Sequence, residues 1–476
     1  MTETPAKPAK PDSANAIADF GIDTTSMSTG EAIKDYFARL KDGQLGSVPA
    51  VLGVIVLAIL FSSLSSDFFT LRNIANLLAQ GAGQTIIAMG IVFVLLLGEI
   101  DLSAGTASGV AASLMALHYV RNGNLLGSMG GGVFVTFIAV LAIAVILALL
   151  QRIWAGAAVS LIGIIVILIG APQNAWLEMV IAITTGTAIG CITGFLVSKI
   201  GMPSFVVTLA LFIVWQGVIL QFIGEGGTLP ISTSDTLNAV ANGNLSVLGS
   251  WIMFIAAAGG YALIALGQHF TRLKRGLVVQ PTPIVLFKVG VVVVISAVAT
   301  YLLTINRSSS QLVVIDGVPY VVPIVLVLLF AGTYVLNRTR YGRHLYAVGG
   351  NQEAARRAGI NVAKLRTSVF VISSTFAAIG AIVYSSKIGS VNPQSGGLNT
   401  LLFAVGAAVI GGTSLFGGKG RIIDAVIGGA VLAIVNNGLG LLQQTAAVVN
   451  IVTGLVLLLA ATVDALSRRR AAASAR

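Results

Sequence analysis

Two carboxylates, Glu99 and Asp101, stand in the segment Gly98-Glu-Ile-Asp-Leu-Ser-Ala-Gly105, between two long apolar runs. Carboxylates at membrane depth are expensive and by default mark function. Here, with Ser103 beside them, they could face a polar cavity and hydrogen-bond a hydroxylated solute. The structural alternative is that Asp101 caps the helix that follows. Asp or Ser at an N-cap accepts free backbone N–H groups and suits the positive end of the helix dipole. The two readings are compatible, and the residues leave both open. Other polar side chains lie inside apolar runs: Gln216 in 203–222, and Asn436 and Asn437 in 422–441. An amide in lipid must find a partner, either a neighbouring helix or a solute.

Residues for covalent or hydrolytic chemistry are missing by type and spacing. A nucleotide-binding loop reads G-x-x-x-x-G-K-[ST]. The nearest approach is Gly417-Gly418-Lys419-Gly420, with Thr413 where the first glycine should stand and Gly420 where Ser or Thr should stand. No strand-rich soluble domain surrounds it, so no ATP site is read. There is no HExxH, no GxSxG with triad partners and no CxxC. His118, His269 and His344 are scattered, so no metal site is expected, and the single Cys191 cannot form an intrachain disulfide. No catalytic residue and no resident cofactor are predicted.

The elements that must position these residues follow from composition. The chain has 476 residues, 56% hydrophobic and only 9% charged. Ordinary soluble domains carry roughly 25% charge, and 9% cannot clothe a water-facing surface of this size. The chain reads as an all-α, polytopic membrane bundle. Soluble enzyme, disulfide scaffold and disordered chain are excluded. A spanning helix needs ~20 apolar residues. Runs of that kind lie near 48–66, 78–97, 103–120, 128–150, 153–171, 177–198, 203–222, 251–267, 285–305, 320–337, 367–386, 400–417, 422–441 and 447–465. The run 103–120 is short and rich in small residues. The run 400–417 ends in glycines and could be broken or re-entrant. About 10–14 spans are therefore predicted.

The net charge of +11 reports topology and not a nucleic-acid partner, because the cations cluster between apolar runs. With the N-terminus inside and every run crossing, Arg152, Lys199, Arg272/Lys274/Arg275, the loop 338–366, Lys419/Arg421 and Arg468–Arg470 all fall inside. Only Arg72, Arg121, Arg307 and Lys387 fall outside. An N-in, C-in chain is predicted, with a polar tail over 1–45, a transmembrane domain over 46–467 and a basic tail over 468–476. Ser28-Thr-Gly-Glu31 has capping-box spacing, which would start a short helix from Glu31 to Leu40. Gly186, Gly190 and Gly194 form a small-residue stripe, for tight packing within the bundle or for a subunit interface.

Within the loop 338–366, Asn351 is placed as an N-cap and Glu353 in the first turn. Gln352 to Ala358 are helix formers, and Gly359 is placed just past the helix end. A helix of about two turns is predicted there, carrying Arg356 and Arg357. A capped helix is a shape that a partner can grip, although a solvated linker remains open on physics alone.

Four segments occur in order: Gly98-Glu-Ile-Asp-Leu-Ser-Ala-Gly105, Gly201-Met-Pro-Ser-Phe-Val-Val-Thr-Leu209, Tyr341-Gly-Arg-His-Leu-Tyr-Ala-Val-Gly-Gly-Asn-Gln-Glu-Ala-Ala-Arg-Arg-Ala-Gly-Ile360 and Val409-Ile-Gly-Gly-Thr-Ser-Leu-Phe-Gly-Gly418. Together they resemble the membrane permease subunit of bacterial ABC sugar importers of the ribose/xylose/galactose class, from about residue 48 to 470. The run 153–171, the loop from Thr228 to Ser246 and the basic insertion 268–284 are most similar to the xylose members. Glu99 departs from the class, where relatives often carry Gly. The resemblance implies a bacterial inner-membrane protein whose partners are a second permease chain, a cytoplasmic ATPase and an extracytoplasmic sugar-binding protein. ATP would be hydrolysed on the ATPase. Asn351, Glu353, Ala354, Ala355, Arg356 and Gly359 match the loop that would couple it to the membrane helices. The imported sugar would be a monosaccharide such as xylose or another pentose. The runner-up is an ion-coupled secondary sugar transporter using Glu99 and Asp101. A channel would want a filter or charge ring, and neither is visible.

Overall fold

The computed structural model describes residues 46–474 apart from 278, 309 and 311, together with 28–32, 34 and 38. The chain divides into two units, one of residues 42–251 and 300–476 and a smaller one of residues 1–41 and 252–299. All fourteen apolar runs fold as helices. In lipid a backbone N–H or C=O has no water to turn to, and the α-helix satisfies both within one segment. Among the described residues, ten helices are long and apolar enough to cross a membrane. Three shorter apolar helices accompany them: Val48–Leu64, Trp154–Leu168 and Leu398–Ile410.

The principal helices of the larger unit are α1 (Val48–Leu64), α2 (Leu71–Leu96), α3 (Ala104–Val120), α4 (Gly131–Leu150), α5 (Trp154–Leu168), α6 (Ala175–Phe195), α7 (Ser204–Ile223), α8 (Asp235–Asn242), α9 (Val321–Arg338), α10 (Arg340–Gly350), α11 (Gln352–Arg357), α12 (Val362–Ile388), α13 (Leu398–Ile410), α14 (Ile422–Leu441) and α15 (Ala446–Ser474). A wide π turn, Leu196–Ile200, extends α6.

The core is built around α12, and glycine lets its neighbours reach it. A Cβ on Gly90 of α2 would stand 2.6 Å from Phe376 Cβ. On α6, a Cβ at Gly186 would stand 2.6 Å from Ala378 Cβ, at Gly190 2.6 Å from Val371 Cα, and at Gly194 2.8 Å from Thr367 Cα. The stripe therefore packs within the chain. Side-chain hydrogen bonds join the same helices. Thr187 and Thr375 share a hydroxyl bond of 2.9 Å, and Ser198 bonds Thr367 at 2.6 Å. Asn437 of α14 donates to Asn73 Oδ1 of α2 at 2.9 Å and accepts from Asn73 Nδ2 at 2.8 Å.

The run expected over 400–417 stops at Ile410, and Gly411–Gly418 forms turns. Before it, Gly389 ends α12 with φ +82°, and a two-residue strand pair joins Leu229–Pro230 to Ser390–Val391. The chain then turns through Asn392 to Gly397 and meets the first turns of α3. A Cβ on Gly105 would stand 2.9 Å from Gly396 O, and one on Gly109 2.2 Å from Ser395 O. Non-helical backbone among spanning helices is tolerated where it is enclosed by protein or lines a cavity.

Beyond α8, the stretches before and after the smaller unit's insertion are tied by Arg307. Its guanidinium donates to Leu303 O at 2.6 Å, Asn244 Oδ1 at 2.7 Å and Gly317 O at 2.8 Å. Burial holds the Arg307 pKa below its ordinary value.

The smaller unit holds most of two apolar helices, Val247–Lys274 and Thr282–Thr304. Across their connection His269 Nε2 and Thr282 Oγ1 lie 2.9 Å apart. In the N-terminal segment Ser28 N donates to Glu31 Oε2 at 2.8 Å and Glu31 N to Ser28 Oγ at 3.3 Å, which is the reciprocal pair of a capping box. These bonds hold the Glu31 carboxyl below its ordinary pKa. Most of the helix expected from Glu31 to Leu40 lies outside the described residues.

Candidate functional site

The four segments Gly98–Gly105, 201–209, 341–360 and 409–418 are far apart in sequence, and the fold brings them to one end of the bundle. Gly418 N donates to Leu96 O at 2.9 Å, joining the turn after α13 to the end of α2. Tyr346 of α10 donates its hydroxyl to Gly420 O at 2.8 Å. A Cβ on Gly349 would stand 2.8 Å from Gly418 N, so α10 lies directly on that turn. From the start of α7, Thr208 Oγ1 donates to Ile100 O at 3.3 Å, and Ser204 Oγ accepts from Ile100 N at 3.3 Å. Each bond ends on backbone, so the loops are held by shape as much as by residue type.

The 338–366 loop contains two helices where one was expected. The additional one, α10, buries Leu345 and Val348. Its Tyr341 hydroxyl bonds Ser368 at 2.8 Å, and burial pushes the phenol up to about 12, so it stays a neutral partner. Helix α11 follows as read, one residue shorter. Asn351 Oδ1 accepts from Ala354 N at 2.9 Å. Ala358 is the C-cap, and Gly359 has φ +83°. Ile360 N donates to Ala355 O at 3.1 Å, closing the helix end. Asn351, Glu353, Ala354, Arg356 and Gly359 are exposed. Ala355 is buried and anchors the helix to the bundle.

Residues 73–461 match a family described as "branched-chain amino acid transport system / permease component". The xylose transport system permease protein of Escherichia coli strain K12 is 30% identical over 439 residues, 91% of this chain and 95% of that protein. Its Haemophilus influenzae counterpart is 30% identical over 434 residues, 91% of this chain and 99% of that one. The chain belongs to this permease family. The ribose import permease protein of E. coli K12 is 29% identical over 415 residues, 87% of this chain and 92% of that protein. No solved structure matches. The family and the ten spans make the chain a multi-pass membrane permease, a transporter subunit.

The permease places its six candidate pathway residues in three separate groups. At the loop end, Arg366 Nε donates to Glu99 Oε1 at 2.6 Å, and Arg366 Nη2 pairs with the same oxygen. Asp101 Oδ1 accepts from Ser103 N at 3.1 Å and Ser103 Oγ at 2.7 Å, and Oδ2 accepts from Ser373 Oγ at 2.8 Å. Asp101 thus orders the entry to α3 and ties it to α12. Gln216 sits apart, donating Nε2 to Pro393 O at 2.8 Å in the turn before α13. Asn437 is consumed by Asn73. Asn436 is half-buried and has no side-chain hydrogen bond among the described residues. Arg366, Ser373, Asn73 and Ser204 were not anticipated. An arginine at the edge of a span, matched to an unexplained Glu at the edge of another, was the available signal.

These contacts set an expectation for Asp101→Asn. An Asn Oδ1 can keep both Ser103 bonds, and its Nδ2 can donate to the Ser373 hydroxyl, which can rotate to accept. Stability should change by less than about 1 kcal/mol. Thermal unfolding of the purified permease measures this. A loss of several kcal/mol would mean that the charge itself is needed there.

Proposed function

We propose that this permease forms the membrane pathway of an ATP-binding-cassette importer for a monosaccharide, with xylose or another pentose as the substrate class. The sugar assignment rests on what the relatives' names state. A separate cytoplasmic ATPase hydrolyses ATP, an extracytoplasmic binding protein delivers the sugar, and a second copy of the chain completes the pathway. The termini and the loop end face the cytoplasm, a placement supported by the Lys/Arg distribution. The observation that carries the coupling assignment is α11: a short helix, closed at both ends, anchored by one buried alanine and exposed from Glu353 to Arg357 apart from it. Gln216 and Asn436 are the amides best suited to touch sugar. An ion-coupled carrier is not favoured, because Glu99 and Asp101 are both engaged by protein groups.

Gly359→Val tests the coupling. At φ +83° a residue with a Cβ is strained by roughly 1 kcal/mol or more, while nothing lies within 4 Å to clash. The change should misdirect the chain after α11 and leave the membrane bundle intact. Sugar-stimulated ATP hydrolysis by reconstituted complex, with labelled pentose uptake, should fall several-fold in a correctly inserted variant. Wild-type stimulation would remove α11 from the coupling role.

A further inference from the structure

At the loop end, where α6 finishes and α12 begins, lies a pocket of about 270 Å³. Its lining includes Arg356, Arg366, Ser198 and Asn361. The π turn Leu196–Ile200 carries Ser198, which is held by a bond to Gln151 Oε1 at 3.0 Å. Neither arginine is used up. Arg366 gives Nε and Nη2 to one Glu99 oxygen, and its Nη1 makes no hydrogen bond among the described residues. Arg356 lies 3.6 Å from Glu353 with both side chains mostly in solvent, a pair of little strength.

The surroundings are basic. Arg356 and Arg366 line the pocket, and Lys199, Arg357 and Lys364 are chain neighbours of lining residues, against two carboxylates, Glu99 and Glu353, paired with those arginines. They also mark a boundary. Directly after Lys199, the apolar side chains Ile200, Met202, Phe205 and Val206 are exposed, and Trp154 is exposed two residues beyond Arg152. Exposed apolar residues giving way to Lys, Arg and Trp mark the level at which spanning helices leave lipid. Ser198 and Arg366 belong to such helices and are only partly accessible, whereas a protein partner would meet α11 further out.

We propose that this pocket binds a phosphate oxyanion, supplied by the headgroup of an anionic lipid at the membrane surface. Basic recesses between spanning helices suit such headgroups, and two guanidiniums can each present paired N–H donors to phosphate oxygens. The inference does not depend on which solute the permease carries.

The test uses purified full-length permease in neutral phosphatidylcholine, with phosphatidylglycerol or inorganic phosphate added. Native mass spectrometry should show phosphatidylglycerol retained on the wild-type chain. Retention should fall at least about fivefold in Arg356→Ala, which removes an exposed side chain and leaves the fold alone. Glu99→Gln/Arg366→Gln removes both charges of the buried pair together and should weaken retention without orphaning either. A thermal shift with inorganic phosphate that Arg356→Ala abolishes, without lipid retention, would keep the oxyanion site and assign it to free phosphate. Equal retention by wild type and both variants, or neither lipid retention nor a phosphate shift, would overturn the proposal. So would an Arg356→Ala variant whose sole defect is weaker ATPase binding.

Discussion

Gly190→Leu should prevent the permease from folding into a recoverable state. On α6 this glycine faces α12 so closely that a single Cβ would stand 2.6 Å from Phe370 O and 2.6 Å from Val371 Cα. Both are backbone atoms of a helix that also carries α2 on another side, so neither can rotate away. Overpacking a core typically costs 1–3 kcal/mol when side chains can adjust. Backbone against backbone leaves separation of the helices as the relief, with loss of contacts along the stripe from Gly186 to Gly194. Gly190→Ala should already lower the unfolding temperature clearly, and Leu should abolish monodisperse material in detergent. Gly217→Ala on α7, where nothing lies within 4 Å, should be close to neutral. A Gly190→Leu chain of wild-type unfolding temperature and altered oligomeric state would place the stripe at a subunit boundary instead.

That stripe shows what the sequence could and could not convey. Its spacing announced close packing but did not name the partner, because i, i+4, i+8 periodicity fixes a face and not what meets it. The spanning helices were legible for a simpler reason: a run of some 20 apolar residues is itself the physical requirement. Helix α13 stops at Ile410, in keeping with the glycines that made 400–417 readable as broken: from Gly411 onward they let the backbone leave the helix where hydropathy alone continues. Helix α10 was missed although Tyr341, Leu345 and Val348 stand at i, i+4 and i+7, a helical period hidden among charges. In α11 every signal was local, a cap at one end and a glycine at the other, and the helix followed. The surroundings of Glu99 and Asp101 were not legible, because their partners Arg366 and Ser373 are 267 and 272 residues away. Local capping explained half of Asp101, through Ser103, and the tie to α12 supplied the other half.

Arg366→Ala should destabilise the permease more than any change to Glu99. Glu99 is buried, 8% accessible, and its carboxylate was paid for by the guanidinium beside it. Removing the arginine leaves a charge that neither lipid nor core can solvate, an effect of about 3–5 kcal/mol for a buried pair broken on one side. Arg366 is 27% accessible and lines the adjoining pocket, which places the expected loss toward the lower figure. Glu99→Gln is gentler. It retains an oxygen for Arg366 Nε, and the arginine, 27% accessible, can turn its free edge to solvent. The double change Glu99→Gln/Arg366→Met should recover most of the Arg366→Ala loss, because no charge is left unmatched. Thermal unfolding of wild type, Glu99→Gln, Arg366→Met and the double variant forms the cycle, and a coupling above about 1 kcal/mol is expected. A double variant as unstable as Arg366→Ala would mean that the arginine acts through its packing. The same pair fastens the α2–α3 loop to the second turn of α12, a few residues beyond α11. Movement of α11 under a docked ATPase would therefore reach Glu99 first, through a contact that cannot stretch far before a buried carboxylate is exposed. Stimulated ATP hydrolysis should accordingly uncouple from uptake in Glu99→Gln at a temperature where the variant is still folded.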